Sequence, residues 1–334
     1  MNSQRFIQFL IILIYLGGAT LAVGQNGLYL EASFHAGKLI RHTPKFDFST
    51  QGTTIGFDVN LNFQTYGKKD WHQWRNFPSF GVRLLRLRLR TERFLGLTLA
   101  CAPNLTIPLS RKRNWNYFYQ IGAGVALMTR RYDATENPTN NAIGSNLVAT
   151  ILMKWYLTRQ INPNWKITAG LGMNHFSNGG TRLPNLGLNI PSLSLGVNYY
   201  PRQSQPRDFI FSDKSKKTSR KLGWEIQTGI AWSQRFFIGG PRHPVYIFNL
   251  GMNYYLNRVN RLVGGIEYEQ NRVVYNFVLL NDPTLSNQEA LKKGSRVTLF
   301  LGDEFFYGNF SILLRAGIYL GDFSDFVAGR VSTQ

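Results

Sequence analysis

The segment ITAGLGMNHFS, residues 167–177, decides the fold class, because apolar residues alternate along it with small or polar ones. One face of an extended chain carries the apolar side chains of Ile167, Ala169, Leu171 and Met173. The other face carries Thr168, Gly170, Gly172 and Asn174. The segment LSLGVNY, residues 193–199, repeats the pattern after an intervening loop. Period-two alternation on both sides of a loop predicts an antiparallel β-hairpin.

Similar segments recur along the whole chain and predict a transmembrane barrel. The thirteen candidate strands are 28–40, 52–66, 79–90, 93–109, 114–129, 143–158, 163–177, 189–200, 222–234, 243–257, 261–275, 294–305 and 308–319. Tilted membrane strands need about 9–11 residues, whereas strands of a soluble β-sandwich, the alternative, average about 5–6. We therefore predict an all-β fold, an antiparallel transmembrane β-barrel of roughly 12–14 strands over residues 25–334. An odd strand number is unusual in such barrels, so a short fourteenth strand within 323–331 is an alternative.

The alternation also assigns side chains to faces. In Leu85–Arg90, leucines and arginines alternate, and in a barrel we expect the leucines to face lipid and the arginines to line a polar lumen. Glu267 and Glu269 share one face, and we expect them to pair with arginines. The pattern predicts no helix.

Residues 1–24 have the features of a signal peptide: Arg5 precedes an apolar stretch, and Ala22-Val23-Gly24 provides small residues for cleavage. A membrane anchor is the alternative, but the apolar stretch is shorter than the ~20 residues of a spanning helix. Together with the barrel pattern, the signal peptide predicts that the protein is located in the bacterial outer membrane. The net charge of +20 favours anionic lipid, such as lipopolysaccharide in the outer leaflet, over nucleic acid as the partner. The single cysteine, Cys101, excludes an intramolecular disulfide.

Catalytic residue types cluster at one end of the hairpin. His175 and Ser177 lie two positions apart, so their side chains share a strand face, and an imidazole can activate a serine hydroxyl. A hairpin symmetric about Arg182 places Asn189 opposite His175, where its amide oxygen can orient the imidazole. All three side chains then lie on the apolar, lipid-facing side, where polar groups are costly unless they serve a function.

The loop after the serine supplies candidate oxyanion donors: the amides of Asn178 and Asn185, and the backbone N–H groups of Gly179 and Gly180. Turn formation alone is the competing interpretation for each of them.

The stretch Asn174–Gly180, followed by Pro184-Asn185-Leu186-Gly187, resembles the outer-membrane lipid A 3-O-deacylases, the PagL-like acyloxyacyl hydrolase family. The resemblance implies hydrolysis of an acyl ester of lipid A, with Ser177 as nucleophile and His175 as general base. It implies no cofactor and no metal.

Asn189 and the strand number depart from that family, whose best-known members have a glutamate in the triad and eight strands. Both features are closer to the outer-membrane phospholipase A family, which has a Ser-His-Asn triad, depends on calcium and forms a homodimer. A porin-like barrel without catalysis is the third hypothesis.

Overall fold

The computed structural model describes residues 27–89, 93–111, 115–202, 204–211, 221–234 and 237–321. The predicted signal peptide, 1–24, and the candidate final strand within 323–331 lie outside the described residues. In the described ranges, no helix has the length and hydropathy needed to cross a membrane.

Eight antiparallel strands close into a barrel, which confirms the predicted fold class. They are β1 Leu28–Lys38, β2 Thr53–Gln64, β3 Ser79–Arg88, β4 Leu97–Arg111, β5 Trp115–Met128, β6 Leu147–Gln160, β7 Trp165–Ser177 and β8 Leu188–Tyr199. Each strand pairs with its neighbour in sequence, and β8 pairs with β1 from Leu30↔Tyr199 to Gly37↔Ser192. Closure leaves no strand edge exposed, which is what an apolar bilayer requires of a β-structure.

The other predicted strands form a second sheet, in the order β13-β12-β11-β10-β9. They are β9 Leu222–Ser233, β10 His243–Tyr255, β11 Asn260–Asn271, β12 Ser295–Tyr307 and β13 Phe310–Leu320. The described strands thus number thirteen, but the prediction of one barrel of 12–14 strands over residues 25–334 was wrong. The reason is that β8 takes β1 as its second partner and leaves none for β9.

The second sheet has one charged face and one apolar face. Glu269 pairs with Arg296, and Glu267 with Arg315, as expected for these carboxylates, although the arginines belong to this sheet. The opposite face carries exposed apolar side chains on all five strands, among them Ile226, Leu250, Ile266, Leu299 and Ile318. The sheet thus has the same alternation as the barrel strands, with β9 and β13 as its edges in the described residues.

The sheet contacts the barrel at both ends. At the end where β7 terminates, called the site end below, the Gln234 N–H donates to the Gly180 carbonyl at 3.0 Å. At the opposite end, Arg75 donates to the Val259 carbonyl at 2.5 Å, and Arg258 forms an ion pair with Asp70. The sheet therefore extends over the same height as the barrel wall.

The predicted orientation of the Leu85–Arg90 alternation was wrong. Leu85 and Leu87 are 2% and 1% exposed inside the barrel, whereas Arg86 and Arg88 point outward. The interior at the site end is an apolar core, where strand leucines pack against loop residues such as Phe46 and Ile143. Apolar side chains therefore point inward at this end, and the arginine side chains lie on the outer wall.

Further from the site end the lumen becomes polar. Lys154 forms an ion pair with Glu31 and donates to the Ser33 hydroxyl at 3.1 Å. Asp58 pairs with Arg83 and lies 3.1 Å from His35. An interior of eight strands is just wide enough for side chains, and these ion pairs fill it.

Three α-helices and one 3-10 helix, Pro206–Asp208, interrupt the strands in the described ranges. The α-helices are α1 Asp70–Trp74, α2 Arg272–Asn281 and α3 Asn287–Lys293. The prediction of no helix was therefore wrong, and the predicted strand 261–275 ends at Asn271, whose side chain caps α2. At α3, Ser286 and Glu289 form a capping box. Capping by these side chains favours helix at both positions.

Replacing Lys154 with methionine should destabilise the barrel by about 3–5 kcal/mol, because Glu31 is then buried without a counter-charge. Adding Glu31→Gln should restore most of that loss. Urea unfolding in detergent, followed by tryptophan fluorescence, measures both variants. Equal destabilisation of the single and double variants would contradict a charge effect and indicate lost packing.

Candidate functional site

The hairpin of β7 and β8 adopts the register predicted from its sequence. His175 pairs with Asn189, Leu171 with Leu193, and Ile167 with Val197. Their neighbours Asn174 and Phe176 point into the barrel and are buried. His175, Ser177 and Asn189 therefore lie on the outer wall at the site end, above the exposed Leu171 and Leu193.

A short hydrogen bond joins the imidazole to the amide. His175 Nδ1 lies 2.7 Å from Asn189 Oδ1, so the ring nitrogen donates to the amide oxygen. In a neutral ring this leaves the lone pair on Nε2, the form that can accept a proton. The predicted orienting contact is present, while the catalytic roles of these residues stay predictions.

The serine hydroxyl is held by the following loop. Asn185 Nδ2 donates to Ser177 Oγ at 2.9 Å, and the Gly179 N–H donates to it at 3.1 Å. The hydrogen bonds described for Ser177 involve these two residues and not His175. Catalytic hydrogen bonds commonly tighten only when substrate binds.

The structure separates the four candidate oxyanion donors into two pairs. Asn185 and Gly179 direct N–H groups at Ser177 Oγ. By contrast, the Asn178 amide donates to the Arg182 carbonyl and accepts from the Gly180 N–H at 3.0 Å, which fixes the loop. Asn178 and Gly180 are therefore not directed at the serine.

A second histidine, His42, completes the hydrogen-bonded chain. Its Nε2 lies 3.1 Å from the Leu186 carbonyl oxygen, and its Nδ1 lies 3.3 Å from Asn189 Nδ2. His42 belongs to the loop between β1 and β2, which closure of the barrel brings beside β8. Sequence reasoning missed it, because only the β1–β8 pairing connects it to the hairpin.

Loops from elsewhere support this arrangement. The N–H groups of Leu186 and Gly187 donate to the carbonyls of Asn141 and Ala142, in the loop between β5 and β6. Gly187 has a φ of +75°, and a Cβ there would lie 3.6 Å from atoms of His175 and Ser177. A residue with a side chain is disfavoured at such a φ, so glycine fits this close approach. On the other side of the loop, the Leu183 N–H donates to Gln234 Oε1 at 2.8 Å.

Comparison with known proteins gives a family match for most of the barrel. The model of the lipid A 3-O-deacylase (PagL) family matches residues 55–198, from β2 to the end of β8. Over this range the barrel is similar to the lipid A 3-O-deacylase (PagL) family.

Solved outer-membrane barrels are also similar to the chain. Neisserial surface protein A (NspA) is 14% identical, with a TM-score of 0.35, and the match covers 53% of this chain and 99% of that one. For the outer membrane enzyme PagL the identity is 18% and the TM-score 0.33, over 50% of this chain and 97% of that one. Ail from Yersinia pestis is 10% identical, with a TM-score of 0.33, and the match covers 52% of this chain and 99% of that one. Among curated proteins, none matches the chain.

The match to the PagL family model places the barrel in the bacterial outer membrane. The matched range contains His175, Ser177, Asn185 and Asn189, whereas His42 precedes it. The second sheet follows it. Among the described residues, no group of three or more His, Cys, Asp or Glu side chains is placed to hold a metal ion.

Proposed function

We propose that the protein is an outer-membrane serine esterase that removes an ester-linked acyl chain from lipid A. The observation that carries the proposal is the His175–Asn189 hydrogen bond beside Ser177, on the outer wall of a barrel that matches the model of the lipid A 3-O-deacylase family. An ester bond of an outer-leaflet lipid lies at the level of such a wall. A polar group there is costly unless it acts on something in the membrane.

In the proposed first step, Ser177 Oγ attacks the ester carbonyl carbon and transfers its proton to His175 Nε2. Asn189 Oδ1 accepts the Nδ1–H and keeps the imidazole in the form whose Nε2 is basic. The carbonyl oxygen becomes an oxyanion. The Asn185 amide and the Gly179 N–H, both next to Ser177 Oγ, are the donors that we assign to it.

The tetrahedral intermediate then collapses. The sugar hydroxyl leaves with the proton held by His175, and the acyl group stays on Ser177 as an ester. Water, deprotonated by His175, attacks this acyl-enzyme and releases a fatty acid and the free serine. The step requires no metal ion, and we propose that none is used.

The apolar wall below the site supports a substrate with acyl chains. Leu171 and Leu193 lie below His175 and Asn189 on the outward face, beyond the pair Met173 and Pro191, and are 61% and 63% exposed. Lower on the same wall, these two leucines border a groove of about 360 Å³ that also includes Trp155 and Ala169. Acyl chains can follow this surface into the bilayer.

His42 explains how an asparagine replaces a charged third residue. The Leu186 carbonyl can only accept, so His42 Nε2 carries the proton, and Nδ1 of the neutral ring accepts from Asn189 Nδ2. This fixes the amide with Oδ1 toward His175. In the flipped orientation Nδ2 would face the imidazole, and Nδ1 rather than Nε2 would hold the lone pair. We propose His42 as a positioning residue.

A second candidate function is phospholipid hydrolysis, which the His175–Asn189 contact favours because a Ser-His-Asn triad is typical of outer-membrane phospholipase A. Under that alternative, activity would depend on calcium and on a homodimer.

The decisive measurement is mass spectrometry of lipid A and of diacyl phospholipid, each incubated with the refolded protein, with and without chelator. We expect loss of one acyl chain from lipid A, unaffected by chelator. Ser177→Ala should reduce the rate by at least about 10³-fold, because it removes the nucleophile. Ser110→Ala, on β4, is a control that should leave the rate unchanged.

The other outcomes are equally informative. Calcium-dependent release from phospholipid alone would assign the second candidate function. No release from either lipid, or activity that survives Ser177→Ala, would contradict the esterase and favour a barrel without catalysis.

The positioning role of His42 predicts an interaction between two substitutions. His42→Phe should lower kcat about tenfold, because it removes one hydrogen bond worth roughly 1.4 kcal/mol to the amide orientation. In an Asn189→Asp background the same substitution should cost less than about twofold, since a carboxylate presents an acceptor whichever way it is turned. Steady-state rates of the four proteins give the result.

If His42→Phe lowers kcat equally in both backgrounds, its effect is structural and the proposed positioning role fails. Unfolding in urea shows whether the His42→Phe barrel is as stable as the parent.

A further inference from the structure

A basic groove lies on the outer wall, away from the hairpin that carries the catalytic residues. It has a volume of about 660 Å³. Its described lining residues are Arg86, Arg88, Arg93, Gly96, Leu97, Thr129 and Arg130, of which four are arginines and none is acidic. They come from β3, β4 and the loops at the site end.

The side-chain directions place this groove on the membrane side of the wall. Arg86 and Arg88 point outward, because Leu85 and Leu87 between and beside them are buried in the barrel. Strand pairing aligns Arg86 with Leu99 of β4, and Leu99 with Leu127 of β5. The two arginines thus share their level with outward apolar residues of the neighbouring strands.

The wall immediately below the arginines is apolar. One step further from the site end, Leu84, Cys101 and Val125 form the next outward row, and Val82 follows on β3. Val125 and Val82 are 53% and 46% exposed. Cations above an apolar wall match a lipid whose anionic headgroup lies above its acyl chains.

The guanidinium groups are placed to receive such a headgroup. Among the residues that the structure describes, Arg86 has no hydrogen-bond or ion-pair partner. Arg130 is held by a hydrogen bond to the Arg93 carbonyl at 3.2 Å, which keeps both residues at the groove. Guanidinium groups bind phosphate through paired hydrogen bonds, more strongly than neutral donors do.

We infer that this groove is a binding site for a lipid phosphate headgroup, formed by Arg86, Arg93 and Arg130 with Arg88 beside them. In the ring of eight strands, β3 and β4 lie across the barrel from β7 and β8. A lipid held there cannot be the one whose ester reaches Ser177. The groove therefore binds a second anionic lipid of the outer leaflet, and it does not depend on the proposed catalysis.

The test is native mass spectrometry of the full chain carrying Ser177→Ala, in detergent, titrated with bis-phosphorylated lipid A. Adding Arg86→Gln, Arg93→Gln and Arg130→Gln should weaken binding of one lipid at least about tenfold. The matched control removes three arginines at the opposite end, by Arg159→Gln, Arg202→Gln and Arg207→Gln, and should bind lipid like the parent. The parent should bind dephosphorylated lipid A about as weakly as the triple variant binds phosphorylated lipid A.

Unchanged binding by the arginine variant, or an equal loss in the control, would overturn the inference. So would displacement of the lipid by inorganic phosphate at millimolar concentration, which would indicate an ion site without lipid specificity. Migration of each variant on unheated gels verifies that it is folded. Hydrolysis by the arginine variant with Ser177 restored is measured separately, so failure of the esterase proposal would leave the lipid-binding result standing.

Discussion

Strand β8 forms its second ladder with β1, and this pairing fixes the direction of every side chain in the barrel. In hydrocarbon an unpaired backbone N–H or C=O costs several kcal/mol, so the ring of strands must close. Once it closes, residues alternate strictly between lumen and membrane. Because Asn174 and Phe176 are inside, His175 and Ser177 must be outside, at the membrane. The same closure brings His42 beside Asn189.

The outward position constrains the chemistry of the candidate triad. A carboxylate beside the imidazole would place a formal charge on a wall that faces lipid, which is costly. With the tautomers proposed above, each contact in the chain from His175 through Asn189 and His42 to the Leu186 carbonyl pairs a donor with an acceptor. The amide avoids the charge, but it can direct either its oxygen or its nitrogen at the imidazole. A carboxylate has two acceptor oxygens and presents an acceptor in both orientations. The backbone carbonyl at the end of the chain resolves this ambiguity.

Local spacing was sufficient to predict the strands, the fold class and the pairing of His175 with Asn189, because each depends on residues close in sequence. It could not show that the barrel closes after β8, since β9 to β13 alternate in the same way as β1 to β8. The polar segment 201–220 does indicate that the barrel closes after β8. It is a long connection, and a long connection between strands is typical of a boundary between two structural units.

Two further errors also have a non-local origin. Alternation of Leu85 to Arg88 defines two faces but not which one is inside, and that depends on loop residues such as Phe46 that fill the site end. His42 is 147 positions from Asn189 in sequence, so no motif links them. The proposed catalytic roles rest on residue chemistry and on the match to the family model.

The packed lumen argues against the porin-like hypothesis. Eight strands enclose a space that side chains can fill. Here Arg83 and Lys154 are fully buried in ion pairs at mid-height, and an apolar core with Phe176 and Ile190 closes the site end. A solute would have to break those ion pairs and displace the core to pass. The His175 hairpin and the arginine groove place accessible polar groups on the outer wall at the site end. Function in this barrel is therefore to be sought where the wall meets lipid, and not along its axis.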